Sequence, residues 1–303
     1  MIATATTPVP LRRQRRAAED WAARLPDLRA QALRIAATVS MGTHGRRRPG
    51  AGDSFWQFRP YRAGDAVRSI DWRRSARSDR HFVREQEWQT AESFWLWLDQ
   101  SPSMQFAGAS DRPAKLERAI VLLLATAALL LRSGERVGLL SRSGPITIGT
   151  GPRALDRLIQ HLLEPKADQS LPPAAGLPRH SAILAFGDTW APLDQWDRHL
   201  ALLSGPGARG HIIQVIDPGE ERLDLKGRVI LEGMEGEAPH LIRRAEDLHV
   251  AYAERFAAHC RGLETICQRR GWRYRRHLTD QSPLPLLLSL YEAISLDRRT
   301  VYA

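Results

Sequence analysis

Asp99, Ser101 and Ser103 alternate in the run Asp99-Gln100-Ser101-Pro102-Ser103, directly after the apolar stretch Phe94-Trp95-Leu96-Trp97-Leu98. A strand that delivers one carboxylate and two hydroxyls to a single turn presents hard oxygen donors. Magnesium takes such donors, using few protein ligands and keeping several waters. Taken alone, the pentapeptide is equally a polar turn, because Asp, Ser and Pro are all favoured there. Its place after an apolar run changes that balance, as does Asp188, which follows a second run over Ser181–Phe186. Asp217 stands in the same position after His211–Ile216. The candidate metal ligands are therefore Asp99, Ser101, Ser103 and Asp188, a set with hydroxyls where a nuclease-type site wants clustered carboxylates.

The elements that must carry these residues follow from periodicity. Ser93–Leu98, Val137–Ser141, Ser181–Phe186, His211–Ile216 and Arg273–Leu278 predict strands, and Pro145–Ile148 predicts a hairpin partner for the second of them. Between them Lys115–Ser133, Arg153–Leu163, Gln195–Leu203, His240–Arg270 and Leu284–Ile294 predict helices. Continuous apolar character in the first strand suits a central parallel strand covered on both faces. Strands alternating with helices predict an α/β fold with a mostly parallel sheet, whose sites lie beyond the carboxyl ends of the strands at a switch in strand order.

Around this core the chain divides into a Thr/Pro/Arg-rich tail over 1–16, expected to be disordered, and a helical segment with linker over 17–49, with a break at Pro26. An Arg/aromatic block over 50–92 includes short strands at Val67–Trp72 and His81–Gln86. The main domain runs over 93–296, with an inserted hairpin near 222–232 that turns at Lys226-Gly227.

The 303 residues, 43% apolar and 26% charged, suit a globular protein. No apolar run reaches the roughly 18 residues of a membrane span, and no secretory signal is visible, so the cytoplasm is expected. Cys260 and Cys267, seven apart on one helix, are too distant for a disulfide and read as reduced core thiols. A net charge of +10, carried almost entirely by arginine, favours anionic partners without choosing among them. The phosphate-loop, His-Glu-x-x-His and Gly-x-Ser-x-Gly patterns are all missing, so no catalytic residue is assigned and no hydrolase activity is expected.

The strand–Asp-x-Ser-x-Ser–helix unit resembles the metal-ion-dependent adhesion site of von Willebrand factor A-type domains. Upstream, the run Arg59-Pro60-Tyr61-Arg62-Ala63-Gly64-Asp65-Ala66-Val67-Arg68-Ser69-Ile70-Asp71-Trp72-Arg73-Arg74-Ser75-Ala76-Arg77 resembles the hallmark of the bacterial family called domain of unknown function 58, which joins such a block to an A-type domain. The resemblance implies a doubly wound, von Willebrand factor A-like sheet with an N-terminal helical and extended accessory segment. It also implies a magnesium-type ion, with manganese or calcium as alternatives, held by Asp99, Ser101, Ser103 and Asp188. The motif's separate Thr has no counterpart, since Ser170 is the only hydroxyl between Lys166 and His180.

Relatives are commonly encoded beside MoxR-type AAA+ ATPases. The resemblance therefore implies a metal-dependent adaptor that works with such an ATPase on a client protein. In the upstream block Arg59, Tyr61, Gly64, Asp65, Arg68, Ile70, Asp71, Trp72 and Arg77 are expected to dock the block by ion pairs and apolar contact. The alternative is an anionic-partner surface over Arg59–Arg84, which would make the protein a nucleic-acid binder.

Overall fold

The computed structural model describes residues 11–44, 55–62, 67, 70–78, 80–86, 92–141, 143–163, 170–174, 176–178, 181–205, 208–223, 225–231, 233 and 238–301. The chain divides into two units, residues 43–91 and residues 1–42 with 92–303. Helix α1 spans Leu11–His44. It begins inside the stretch expected to be disordered and passes Pro26 without ending. Pro26 is exposed, so the hydrogen bond it forfeits is on the solvent side, while Leu25, Ala32, Ala36 and Val39 are buried at helical spacing.

In the smaller unit β1 (Phe55–Pro60) pairs antiparallel with β2 (Phe82–Gln86). Of the expected strand over Val67–Trp72, the described residues show a bridge between Ile70 and Val83, both buried. Asp71 then turns the chain into helix α2 (Trp72–Ser75), its carboxylate accepting the Arg74 N–H at 2.9 Å as an N-cap. Asp71 thus serves as a helix cap. Trp72 is 58% exposed and lies edge-on to His81.

The larger unit is built on β3 (Ser93–Leu98). It continues through α3 (Lys115–Arg132), β4 (Arg136–Ser141), β5 (Gly144–Gly149), α4 (Pro152–Leu163), β6 (Ala182–Gly187), α5 (Leu193–Leu203), β7 (Arg209–Ile216) and α6 (Pro218–Arg222). Next come the short strands β8 (Val229–Leu231) and β9 (His240–Ile242), then α7 (His249–Arg269), β10 (Trp272–Leu278) and α8 (Pro283–Val301). The main sheet has the order β10-β7-β6-β3-β4-β5, parallel throughout except for β5, which lies antiparallel on β4. This is the doubly wound order, as expected.

Alternate residues of β3 serve opposite faces. Phe94, Leu96 and Leu98 pack into a core with α1, α3, α4 and α8. Trp95 and Trp97 pack with residues of α5 and α7. Helix α3 is buried nearly all round and stops at Ser133-Gly134, where the left-handed φ of 80° at Gly134 suits glycine.

The inserted hairpin is displaced from its expected place near 222–232. Arg222 ends α6, β8 pairs with β9, and α7 starts at His249 instead of His240. The buried helical stripe Phe256, Cys260, Leu263 and Cys267 begins only after that point, which is why His240–Ile242 is free to form a strand. Both cysteines are buried free thiols. Among the described residues no helix is long and apolar enough to cross a membrane.

Candidate functional site

Three neighbouring strands, β3, β6 and β7, deliver carboxylates beyond their carboxyl ends. The chain leaves β3 for β4 on one side and reaches β6 on the other. The β3/β6 boundary is therefore the switch point, where such sheets open a crevice.

All four predicted ligands meet there. Asp99 is fully buried, and its Oδ1 accepts the Ser101 N–H at 2.9 Å. Ser101 Oγ lies 3.0 Å from Ser103 Oγ, and Ser103 Oγ donates to Asp188 Oδ2 at 2.6 Å. Asp99 Oδ2 is buried with no hydrogen-bond partner. Room for this carboxylate comes from Gly187, where a Cβ would stand 2.6 Å from Asp99 Cβ and 2.9 Å from Oδ2.

Two further groups complete the cluster. Lys115, the first residue of α3, is fully buried and donates from Nζ to Asp188 Oδ2 at 3.0 Å and to Glu220 Oε1 at 2.5 Å. Glu220 belongs to the capping box of α6, its Oε2 accepting the Asp217 N–H at 3.0 Å. Neither residue was singled out from the sequence, although both left a signal. A lysine at the first position of a helix opposes the helix dipole, and Asp217-Pro218-Gly219-Glu220 spells a capping box.

Burial and then the neighbouring Asp188 push the Asp99 carboxyl up to about 7. Burial works against the Lys115 ammonium, yet Asp188 and Glu220 hold its pKa above the ordinary lysine value. Burial raises Glu220 as well, against the pull of Lys115. The crevice thus gathers three carboxylates around one ammonium, and Asp99 carries the uncompensated cost.

A hard cation fits this donor set. The orphaned buried oxygen of Asp99 needs a partner, and two hydroxyls stand beside it. No group of three or more His, Cys, Asp or Glu that could hold a metal occurs among the described residues, so the hydroxyls are essential to any such site.

Asp217, the third strand-end carboxylate, is placed differently. Its Oδ1 accepts from Arg112 at 2.9 Å and from the Gly219 N–H at 2.7 Å, and its Oδ2 accepts from Thr279 at 3.1 Å. Thr189, beside Asp188, has a left-handed φ of 62° and a buried hydroxyl without a partner. Its carbonyl accepts from Trp196 at 3.2 Å and hydrogen-bonds the His259 ring at 2.8 Å, which pins this strained step.

Of the upstream block, Gly64, Asp65 and Arg68 lie outside the described residues, as does the side chain of Arg59. Tyr61 donates its N–H to the His81 carbonyl at 2.8 Å, Ile70 is buried, and Arg77 is exposed.

The sequence pattern of the family described as protein of unknown function DUF58 matches residues 57–261. Uncharacterized protein Rv1480 of Mycobacterium tuberculosis is 27% identical over 215 residues, a match that spans 65% of this chain and 65% of that protein. Among solved structures, BatB from Bacteroides thetaiotaomicron is 16% identical, with 69% of this chain and 100% of that chain covered at a TM-score of 0.35. The SpRpn10 VWA domain is 11% identical, with 66% of this chain and 95% of that chain covered at a TM-score of 0.33.

Proposed function

Because this chain belongs to the DUF58 family and carries a von Willebrand factor A-like sheet, we propose that it is a non-enzymatic adaptor that binds a partner protein through a metal ion at the Asp99 crevice. The observation that carries this reading is the buried, unpartnered Asp99 Oδ2 among the hydroxyls of Ser101 and Ser103 and the carboxylate of Asp188. Asp99, Ser101, Ser103 and Asp188 would hold magnesium, or manganese or calcium in its place. The ion would supply a position for an oxygen donor, such as an acidic side chain of the partner. The chain's own groups orient that site: the Ser101 N–H fixes one Asp99 oxygen, and Ser103 fixes Asp188.

We assign the partner role to a MoxR-type AAA+ ATPase that remodels or activates a client protein. Pull-down of the cognate ATPase by wild type and by Asp99→Ala, with and without EDTA, tests the reading. Recovery should fall in the variant and with chelator, and equal recovery under every condition refutes the metal dependence.

A second reading is favoured by one observation. Trp72 is 58% exposed beside the exposed Arg73 and Arg74, an aromatic and basic surface suited to single-stranded nucleic acid. Binding through phosphate contacts would weaken steeply with salt, and failure to bind an oligonucleotide at low ionic strength removes this reading.

A further inference from the structure

Resting on the cation-site reading, we propose that Lys115 is the resident cation of the Asp99 crevice and that a divalent ion gains Asp188 only by displacing it. The site is then an exchanger in which an internal ammonium and a metal are mutually exclusive. Asp188 Oδ2 already accepts from two donors, Ser103 at 2.6 Å and Lys115 at 3.0 Å. Asp188 Oδ1 takes the Trp190 N–H at 3.3 Å. Within the Asp99–Asp188 pair only Asp99 Oδ2 is open. An ion that drew on both carboxylates would share Asp188 with the ammonium, and like charges at such range in a buried setting repel by far more than thermal energy.

Lys115 also has somewhere to go. Its Nζ already reaches Glu220 Oε1 at 2.5 Å, and the Asp217 N–H fixes the other Glu220 oxygen at 3.0 Å. The lysine stem is long and flexible, so the ammonium can leave Asp188 and keep Glu220 without moving the backbone of α3. The sheet end therefore need not unfold for the exchange.

The test is calorimetric titration of the full chain with Mn2+, with circular dichroism to confirm folding. Lys115→Met should bind Mn2+ about tenfold tighter than wild type, or more, because the competing charge is gone. Loss of the lysine leaves the half-buried Glu220 carboxylate without its counter-charge, so Lys115→Met/Glu220→Gln is titrated in parallel as a variant without that unbalanced charge. Addition of Asp99→Asn to either variant should abolish binding. Binding by the variants where wild type shows none also bears the exchange out. Equal or weaker affinity in a folded variant, with wild type still binding, overturns the exchange and leaves the cation site standing. Absence of binding in wild type and both variants overturns the two together.

Discussion

Asp99 and Asp217 occupy equivalent positions, each a fully buried carboxylate beyond the end of a parallel strand, yet they do opposite work. Both oxygens of Asp217 are engaged, by a guanidinium, a backbone N–H and a hydroxyl, and the residue also caps α6. Asp99 has one oxygen engaged and one left open in the interior. A buried carboxylate whose acceptors are filled is scaffold, because its cost is offset where it stands. One with an unfilled acceptor is a standing expense that only a ligand relieves. Burial and position are the same in the two cases, so the inventory of partners is what separates structure from site.

The comparison can be broken by substitution. Asp217→Ala removes a cap and leaves Arg112 and Thr279 without their acceptor, so chemical denaturation should report a loss of about 3 kcal/mol with ion affinity unchanged. A loss of ion binding in a folded Asp217→Ala protein would erase the distinction.

Asp99→Asn should do the reverse. The unfolded carboxyl titrates near its ordinary 3.8 and the folded one at about 7, so between these values the folded state holds the extra proton. Without divalent ions, this residue's contribution falls as pH rises from about 4 to about 7 and stays low above that, a swing on the order of 4 kcal/mol. The variant should lack that fall and be the more stable protein at pH 8, while binding no ion. Denaturation across that pH range checks the sign.

His277 gives an opposing slope of slightly smaller size. Burial first, then Arg118, lowers it from 6.5 to about 4, so the unfolded state holds the extra proton between these values. Stability from this group is therefore lost as pH falls from about 6.5 toward about 4, by about 3 kcal/mol at most. His277→Gln should remove that acid loss, leaving the Asp99 slope exposed. The smallest effect is expected from Ser103→Ala, about 1 kcal/mol for one hydrogen bond to Asp188, with weakened ion affinity measured by the same titration.

Much of this was legible in the sequence, for reasons particular residues make plain. The unbroken run Phe94–Leu98 announced a strand buried on both faces, and strand ends mark where Asp99 and Asp188 must emerge. That these side chains meet could be read because their positions depend on the sheet alone. Lys115 and Glu220 depend on how the start of α3 and the cap of α6 meet over β6, a tertiary fact that no local spacing encodes. Pro26 misled because a helix held by the burial of Ala32, Ala36 and Val39 tolerates a proline on its wet side. The segment Val67–Trp72 misled because Asp71 caps α2 and turns the chain from extended structure into a helix at Trp72.

The core of the larger unit bears on what relatives share. The family match begins at residue 57, after α1, and ends at residue 261, inside α7. Yet Ala32, Ala36 and Val39 of α1 and Leu287, Leu290 and Ile294 of α8 lie in one core with α3, and β10 closes the edge of β7. A fragment cut at the matched boundaries would bare an apolar helix and an unpaired strand, both invitations to aggregate. The stretch that matches the family is thus shorter than the core it belongs to, which runs on into α1, β10 and α8.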